Sequence, residues 1–253
     1  MTGHVAPYSS AAKYYDELIP DERDELLREL YWSLRDFWGE SEKAPRCLDV
    51  GCGTGGILQL WPATNVDSKS CGIDPAAEMI ELARLNCPVY QFESVDLLSF
   101  KTVQKFDWIV STGNPVNYIS PDKREKFFEK ASGLLAPGGL LYFDFDTRRD
   151  IEEFWPGQTR LVESDTFRFE ARYAYDAEQD VGVEIQHWSQ LPEGEASFYE
   201  THYLNPISPV EVVSEMSSTR FGEPLFIHPE NYTKVDDANE YLVLGCIAKV
   251  KCG

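Results

Sequence analysis

Residues 48–56 read LDVGCGTGG, and this stretch decides the fold. Its first residues predict the end of a buried strand, and an apolar pattern that suits a short helix resumes at Ile57. Between them, Gly51 and Gly53 are free to adopt positive φ or to bring the backbone close to a ligand. The helix that follows presents unpaired N–H groups and the positive end of its dipole. The stretch therefore predicts a strand, a glycine turn and a helix that together hold a nucleotide-like ligand.

A carboxylate farther along the chain narrows the ligand to an adenosine type. The spacing Gly51-x-Gly53-x-x-Gly56 satisfies the dinucleotide fingerprint, which alone is weak evidence. Asp74 ends the next apolar run, about 20 residues on, where a ribose-binding acid is expected. Asp49, just before the turn, offers nothing to a pyrophosphate but favours a ligand with a cationic end. S-adenosylmethionine (SAM), with a sulfonium, an ammonium and no phosphate, fits best; a bare turn and a nicotinamide or flavin site remain alternatives.

Three stretches resemble class I SAM-dependent methyltransferases. LDVGCGTG (residues 48–55) resembles their first motif, GIDPAAEMIELAR (72–84) their second, and LLAPGGLLYFDF (134–145) the segment around their fifth strand. The resemblance implies an α/β, Rossmann-like class I methyltransferase fold with a seven-stranded, mostly parallel sheet. It also implies SAM as the cofactor.

The resemblance further implies which residues bind the cofactor. Asp96 matches the acid that accepts the adenine amino group in relatives, although a turn-capping Asp is the alternative. Tyr14 belongs to a YYD element whose aromatic residue closes over SAM in relatives, with core packing as the alternative. The full expected set is Tyr14, Asp49, Gly51, Cys52, Gly53, Asp74, Pro75, Met79, Val95, Asp96, Leu97 and Ser111.

The acceptor side is expected at the loop after the fourth strand and at a strand far along the chain. The loop 112–118 follows that strand at the switch point of the sheet, so Tyr118 is a candidate to line the substrate pocket. Its Asn-Pro departs from the Asn-Pro-Pro-Tyr motif of base and glutamine methyltransferases, so that chemistry is not inferred. Glu200 and His202 share one strand face and are candidates to position an amine or to act as base for a hydroxyl. An ordinary strand-surface histidine is the alternative.

The pattern along the chain predicts four segments. Residues 1–45 are an N-terminal helical cap, with Pro20-Asp21 between two helices, and residues 46–159 are the SAM-binding core. Residues 160–205 alternate apolar and polar side chains in three runs, which predicts an antiparallel β insertion with a turn at Pro192–Glu195. We expect this insertion to be a substrate lid, because it resembles that of nucleotide-sugar amine N-methyltransferases and glycine N-methyltransferases. Residues 206–253 complete the core.

Composition limits the partners. The net charge is −20, with 43 acidic against 23 basic residues, so nucleic acid is not expected as a substrate. The acidic excess either serves solubility or attracts an amine. No apolar stretch is long enough to span a membrane, and no secretory signal precedes the cap. The six cysteines form no CxxC pair, which favours reduced thiols in the cytoplasm, and no metal-ligand spacing is present.

These observations predict SAM-dependent methyl transfer to a small molecule, most of all to an amine nitrogen. Methylation of a hydroxyl or carboxyl is one alternative, because a histidine base is available in the same region. A SAM-binding regulatory subunit without catalysis is another. The sequence leaves the oligomeric state open.

Overall fold

The structure, a computed structural model, describes residues 6–19, 23–39, 43–61, 67, 69–191 and 197–251. The expected helix break at Pro20-Asp21 and the expected turn at Pro192–Glu195 lie outside these residues. Within them, no helix has the length and apolar character that crossing a bilayer requires.

A seven-stranded sheet organises the chain and confirms the predicted fold class. Its strands are β1 (Cys47–Val50), β2 (Cys71–Asp74), β3 (Gln91–Ser94), β4 (Phe106–Ser111), β5 (Leu135–Asp146), β10 (Leu225–Ile227) and β11 (Val243–Lys249). Their order is β10-β11-β5-β4-β1-β2-β3. The pairs β3-β2, β2-β1, β1-β4 and β4-β5 are parallel, while β11 is antiparallel to both of its neighbours. The carboxyl ends of β1, β2 and β4 therefore meet at one edge, where a ligand site of this architecture lies.

Helices cover both faces of this sheet. They are α2 (Arg23–Trp38), α3 (Gly56–Leu60), α4 (Ala77–Asn86), α5 (Pro121–Leu134) and α6 (Pro209–Ser217), whereas α1 (Ala12–Leu18) packs against the second sheet described below. All four residues of β1 and all six of β4 are buried, as expected of central parallel strands covered on both faces. Leu48 packs into one apolar cluster and Cys47 into the other, so consecutive residues of β1 serve opposite faces.

The fifth strand begins earlier than the sequence predicts. Residues 136–139 are expected to form a glycine turn before a strand that starts at Leu140, but β5 already pairs with Phe106 through Leu135. Gly138 lies at φ +75°, close to the register shift between Phe106 and Trp108. The glycines therefore accommodate an irregularity inside the strand rather than a turn before it.

A second, antiparallel sheet follows the fifth strand, as the alternating pattern predicts. Its order is β6-β7-β8-β9, with β6 (Thr159–Glu163), β7 (Phe167–Asp176), β8 (Val181–Gln190) and β9 (Ser197–Leu204). The sequence predicts three runs; the structure divides the first run into β6 and β7. A short π-helix, Asp150–Phe154, connects the two sheets and is not predicted from the sequence. The inner face of this sheet packs Phe167, Phe169 and Trp188 against the N-terminal segment.

Candidate active site

The glycine turn after β1 is fixed by backbone geometry. Gly51, Gly53 and Gly55 have φ of +72°, +51° and +88°, a region that residues with a Cβ rarely occupy. The N–H groups of Gly51 and Cys52 both donate to the carbonyl of Ile73, at 2.9 and 3.1 Å, which joins the turn to β2. The predicted strand, turn and helix geometry is therefore present at the carboxyl edge of the sheet.

Asp49 is a buried carboxylate directly before this turn. Its side chain is 1% exposed, and its Oδ2 atom has no hydrogen-bond partner among the described residues. Burial, followed by the charge of Asp74, raises the pKa of Asp49 from 3.8 to about 8. A buried anion without a partner is costly, so this position is suited to a neighbouring cation.

Asp74 ends β2 beside the turn. Its Oδ2 accepts the Gly53 N–H at 3.0 Å and its Oδ1 accepts the Ala76 N–H at 2.8 Å. Burial raises the pKa of Asp74 above its ordinary value, although both backbone N–H groups act against that rise. Each carboxylate oxygen keeps a lone pair beyond its backbone bond, so the side chain remains able to accept two hydroxyl groups.

A cleft of about 740 Å³ opens at this edge. It contains nine of the fifteen residues that the sequence nominates for cofactor binding or catalysis. They are Gly51, Gly53, Asp74, Pro75, Met79, Val95, Asp96, Leu97 and Tyr118. Asp96 also accepts the N–H and the hydroxyl of Ser99, at 3.0 and 2.9 Å, so it has the turn-capping role of the alternative interpretation while it faces the cleft.

Two nominated residues point away from the cleft. Ser111 is fully buried, and its hydroxyl donates to the Val50 carbonyl at 2.9 Å, which ties β4 to β1. The Cys52 sulfur faces the sheet, where a Cβ added at Gly72 would lie 2.9 Å from it. Both side chains support the turn from behind, so the structure does not place either where it would touch a ligand in the cleft.

The three side chains of the YYD element, Tyr14 to Asp16, point in three different directions. Tyr14, the nominated cofactor residue, stacks at 5.9 Å on Trp188 of the second sheet and does not line the cleft. Its neighbour Tyr15 lines the cleft instead, with its pKa raised by burial to about 12. Asp16 accepts the hydroxyl of Thr54 at 2.6 Å and so fastens α1 to the glycine turn. The structure therefore places Tyr15, and not Tyr14, in the wall of the cleft, because helical geometry turns adjacent residues to different faces.

Two carboxylates at the end of β5, the half-buried Asp144 and the buried Asp146, hold the loop after β4. The backbone N–H of Asn114 donates to Asp144 and its side-chain amide donates to Asp146, both at 2.6 Å. The Asn117 side chain donates to the Asp146 carbonyl and accepts the Asp146 N–H, at 2.8 and 3.0 Å. Burial raises the pKa of Asp144 to about 6 and that of Asp146 to about 7. These contacts position Tyr118, the last residue of the short helix that begins at Pro115.

Tyr118, His202 and Glu200 form a continuous hydrogen-bonded chain. The Tyr118 hydroxyl lies 2.8 Å from His202 Nδ1, and His202 Nε2 lies 3.1 Å from Glu200 Oε2. His202 is 2% exposed, and it does not line the cleft itself. The three nominated catalytic residues are thus brought together, and Tyr118 is the member that reaches the cleft. His202 is not the surface histidine of the alternative interpretation.

Glu200 is the charged end of this chain. Burial raises its pKa, but hydrogen bonds from His202 and Ser10 outweigh that effect and hold the pKa below its ordinary value. The carboxylate therefore accepts from His202 Nε2–H, which leaves Nδ1 as the acceptor of the Tyr118 O–H. Among the described residues no cluster of three His, Cys, Asp or Glu has the geometry to hold a metal ion.

Comparison with a protein-family model decides the identity of the core. Residues 47–139 match the model described as a methyltransferase domain. These residues are a methyltransferase domain. The match begins at the first residue of β1 and ends inside β5, so it spans the glycine turn and the carboxylate of β2.

Solved structures extend the likeness in fold to almost the whole chain. A SAM-dependent methyltransferase from Clostridium acetobutylicum has a TM-score of 0.79 at 16% identity, with 96% of this chain and 99% of that chain covered. SAM-bound CalS10 of Micromonospora echinaspora, described as an amino pentose methyltransferase, has a TM-score of 0.72 at 21% identity, with 99% of each chain covered. The fold is therefore that of class I, SAM-dependent methyltransferases, and together with the match of residues 47–139 to a methyltransferase domain it supports SAM as the cofactor.

Curated relatives match over shorter ranges. Trans-aconitate 2-methyltransferase of Rhodopseudomonas palustris is 28% identical over 130 residues, 48% of this chain and 44% of that protein. Probable tRNA methyltransferase 9B of Bos taurus is 29% identical over 135 residues, 53% of this chain and 27% of that protein. The chain thus spans less than half the length of these two relatives.

The residues that line the cleft, together with Asp49 buried next to them, fit SAM on physical grounds. The unpartnered oxygen of Asp49 suits a cationic ligand, and the carboxylate of Asp74 suits ribose hydroxyls. A Cβ added at Gly51 would lie 2.9 Å from Cγ of Pro115, so only glycine keeps the turn at its present distance from the loop. Apolar side chains that line the cleft suit an adenine ring; they include Val95, Leu97, Ile119 and Phe127.

Proposed function

We propose that this protein transfers the methyl group of SAM to an amine nitrogen of a small molecule. One observation carries the proposal: the hydroxyl of Tyr118, in the wall of the cofactor cleft, is hydrogen-bonded to His202, which is hydrogen-bonded to Glu200. These three hydrogen-bonded residues give the cleft a group, the Tyr118 hydroxyl, that accepts a proton and passes one on to His202 in the interior. The other site residues act through binding and orientation.

When bound, SAM supplies a methyl group that is already activated by its sulfonium. The protein then has to align the acceptor and hold a place for the proton that the acceptor loses. The Tyr118 oxygen accepts an N–H of the amine, and His202 Nδ1 takes the proton through Tyr118. Glu200 stabilises the imidazolium that results. The nitrogen–carbon bond forms as the sulfur–carbon bond breaks, and S-adenosylhomocysteine leaves.

The charge around the site favours a cationic acceptor. Of the described residues that line the cleft, Asp74 and Asp96 are acidic and Lys123 is basic. Behind the wall, burial and then the charge of Glu184 raise the pKa of Tyr8 and of Tyr173. A buried carboxylate this close gives a negative potential that attracts an ammonium and repels an acid such as trans-aconitate. The same argument, with the net charge of −20, weighs against tRNA.

The four-stranded sheet carries the residues proposed for the acceptor side of the site. It supplies His202 and Glu200 from β9, and the amino pentose acceptor in the description of CalS10 is of the proposed class. A hydroxyl acceptor is the second candidate, because the same chain of three residues would serve it as a general base.

A panel of matched acceptors tests the proposal. The full chain is incubated with SAM and glucosamine, ethanolamine or glycine, and in parallel with glucose, ethylene glycol or glycolate. Mass spectrometry then measures S-adenosylhomocysteine and the methylated product. We expect N-methyl product from at least one amine and none from its hydroxyl counterpart. Product from the hydroxyl member alone, or no product from any amine, would overturn the proposal.

A further inference from the structure

Residues 6–19 lie across the cofactor cleft, and one carboxylate holds the stretch of this segment that precedes α1. Pro7, Tyr8 and Tyr15 of this segment line the cleft. The N–H of Tyr8 donates to Glu200 Oε2 at 3.0 Å, and the N–H of Ser10 donates to Glu200 Oε1 at 2.7 Å. Both oxygens of Glu200 thus hold the segment, while Oε2 also accepts from His202. The position of the N-terminal segment and the orientation of His202 therefore both depend on the Glu200 side chain.

Tyr8 is held in a conformation that costs energy. Its φ is +64°, in the left-handed region, where a bulky residue is an outlier that costs roughly 1–2 kcal/mol. Such a backbone persists where its surroundings over-determine it, and these positions concentrate at functional sites. Here the Glu200 hydrogen bond and the packing of the ring supply that constraint.

The ring of Tyr8 joins the catalytic chain to the cleft. It lies edge-to-face with His202 at 4.4 Å and with Tyr15 at 5.4 Å, and His202 in turn lies 5.9 Å from the ring of Tyr118. Three tyrosines are therefore connected along one wall. Such a wall suits an ammonium or alkylammonium group, which is attracted to aromatic faces.

The phenol groups of Tyr8 and Tyr118, which both line the cleft, lie within hydrogen-bonding reach of each other. Burial and then the charge of Glu184 raise the pKa of Tyr8 well above its ordinary value. Burial and then the neighbouring Tyr8 raise the pKa of Tyr118 in the same direction. Both phenols therefore stay protonated at neutral pH, and each remains able to exchange hydrogen bonds with a polar ligand.

We propose that Tyr8 is an acceptor-binding residue and that Glu200 is the positioning residue that seats it. The acceptor site is then complete only when the N-terminal segment is docked on β9. This inference rests on the proposed function, because it gives Tyr8 a role toward the acceptor of that reaction. It goes beyond it in making a part of the chain that precedes the methyltransferase domain a component of acceptor recognition.

The first test separates acceptor binding from cofactor binding. Tyr8→Phe removes the hydroxyl and keeps the ring, and Tyr199→Phe is the matched control, since Tyr199 is 69% exposed on β9. We expect Tyr8→Phe to raise the KM for the best amine about tenfold, by loss of one hydrogen bond, with the Kd for SAM unchanged within twofold. Native KM and kcat in Tyr8→Phe would overturn the role of Tyr8 while the proposed function stands.

The second test needs no acceptor. Lys13 is exposed in α1, and trypsin cleaves after it only when the helix opens locally. We expect Glu200→Gln to speed release of the fragment 1–13 at least fivefold over the native chain and over Tyr199→Phe, as followed by mass spectrometry. Cleavage at the native rate would overturn the positioning role of Glu200. If the native chain methylates no amine, the proposed function fails and the acceptor role of Tyr8 fails with it.

Discussion

Replacing Asp49 by Asn should stabilise the ligand-free protein relative to the native chain, and this difference in the free energy of unfolding should grow as the pH rises. A carboxyl group whose pKa is raised by folding contributes stability below its ordinary pKa, and this contribution is lost as the pH rises to the folded value. For Asp49 that window runs from 3.8 to about 8. An amide in the same place does not titrate. The native chain should therefore lose folding stability over this pH range, and Asp49→Asn should not.

The structure sets the size of the effect. At about 1.4 kcal/mol for each tenfold change in the ionisation constant, the window corresponds to about 5 to 6 kcal/mol in all. Relaxation around the buried ion reduces such penalties. Between pH 5 and pH 8 we therefore expect the native chain to lose roughly 2 to 4 kcal/mol relative to Asp49→Asn.

Urea unfolding at pH 5, 6, 7 and 8, without SAM, measures this difference. Asp107→Asn is the control of opposite sign, because hydrogen bonds from Arg46 and Lys43 outweigh burial and lower the pKa of Asp107. That carboxylate contributes stability above its ordinary pKa, so its replacement should destabilise the protein at pH 8 and lose its effect in acid. Parallel pH profiles for the native chain and Asp49→Asn would refute the reasoning about Asp49.

The same substitution should act in the opposite direction on the cofactor. A cation bound near Asp49 favours the ionised carboxylate, so the affinity of the native chain for SAM should increase as the pH rises from 6 to 8. Asp49→Asn should bind SAM more weakly and with a flat pH profile. Isothermal titration calorimetry at both pH values compares the two chains. An unchanged pH dependence in Asp49→Asn would remove Asp49 from the account of cofactor binding.

Three further outcomes are expected. Asp74→Asn should weaken SAM binding by about 1–3 kcal/mol, the value of lost charge-assisted hydrogen bonds, and native affinity in calorimetry would remove Asp74 from the ribose site. Gly51→Ala should lower both the melting temperature and SAM affinity more than Gly113→Ala does, since both glycines have positive φ but only at Gly51 would the new Cβ meet Pro115, at 2.9 Å; equal effects in thermal unfolding would contradict the steric argument. His202→Ala should lower kcat by about 10²–10⁴-fold with the Kd for SAM unchanged, and native turnover in the amine assay would leave the histidine a structural role.

The fold and the cofactor cleft are predictable because local sequence fixes them. Gly51 and Gly53 adopt positive φ in a turn that few other residues tolerate, and Asp74 ends a strand that parallel pairing brings beside that turn. Such features depend on short stretches of chain. The alternation of apolar and polar residues in the second sheet is equally local, and it predicts the strands there.

The contacts between distant segments are not predictable in this way. The sequence gives no reason to prefer Tyr15 over Tyr14 at the cleft, because that choice depends on how α1 rotates against the second sheet. Tyr8 is missed for the same reason: its link to Glu200 joins residues 192 positions apart. Its positive φ is unusual for tyrosine, and no sequence pattern predicts it.

The most direct measurement is a crystal structure of the protein with S-adenosylhomocysteine and the best amine of the panel. The account predicts the ribose at Asp74, the amino-acid part of the cofactor product at the Gly51 turn above Asp49, and the amine nitrogen within hydrogen-bond distance of the Tyr118 hydroxyl. An empty cleft, or an amine bound away from Tyr118, would contradict it.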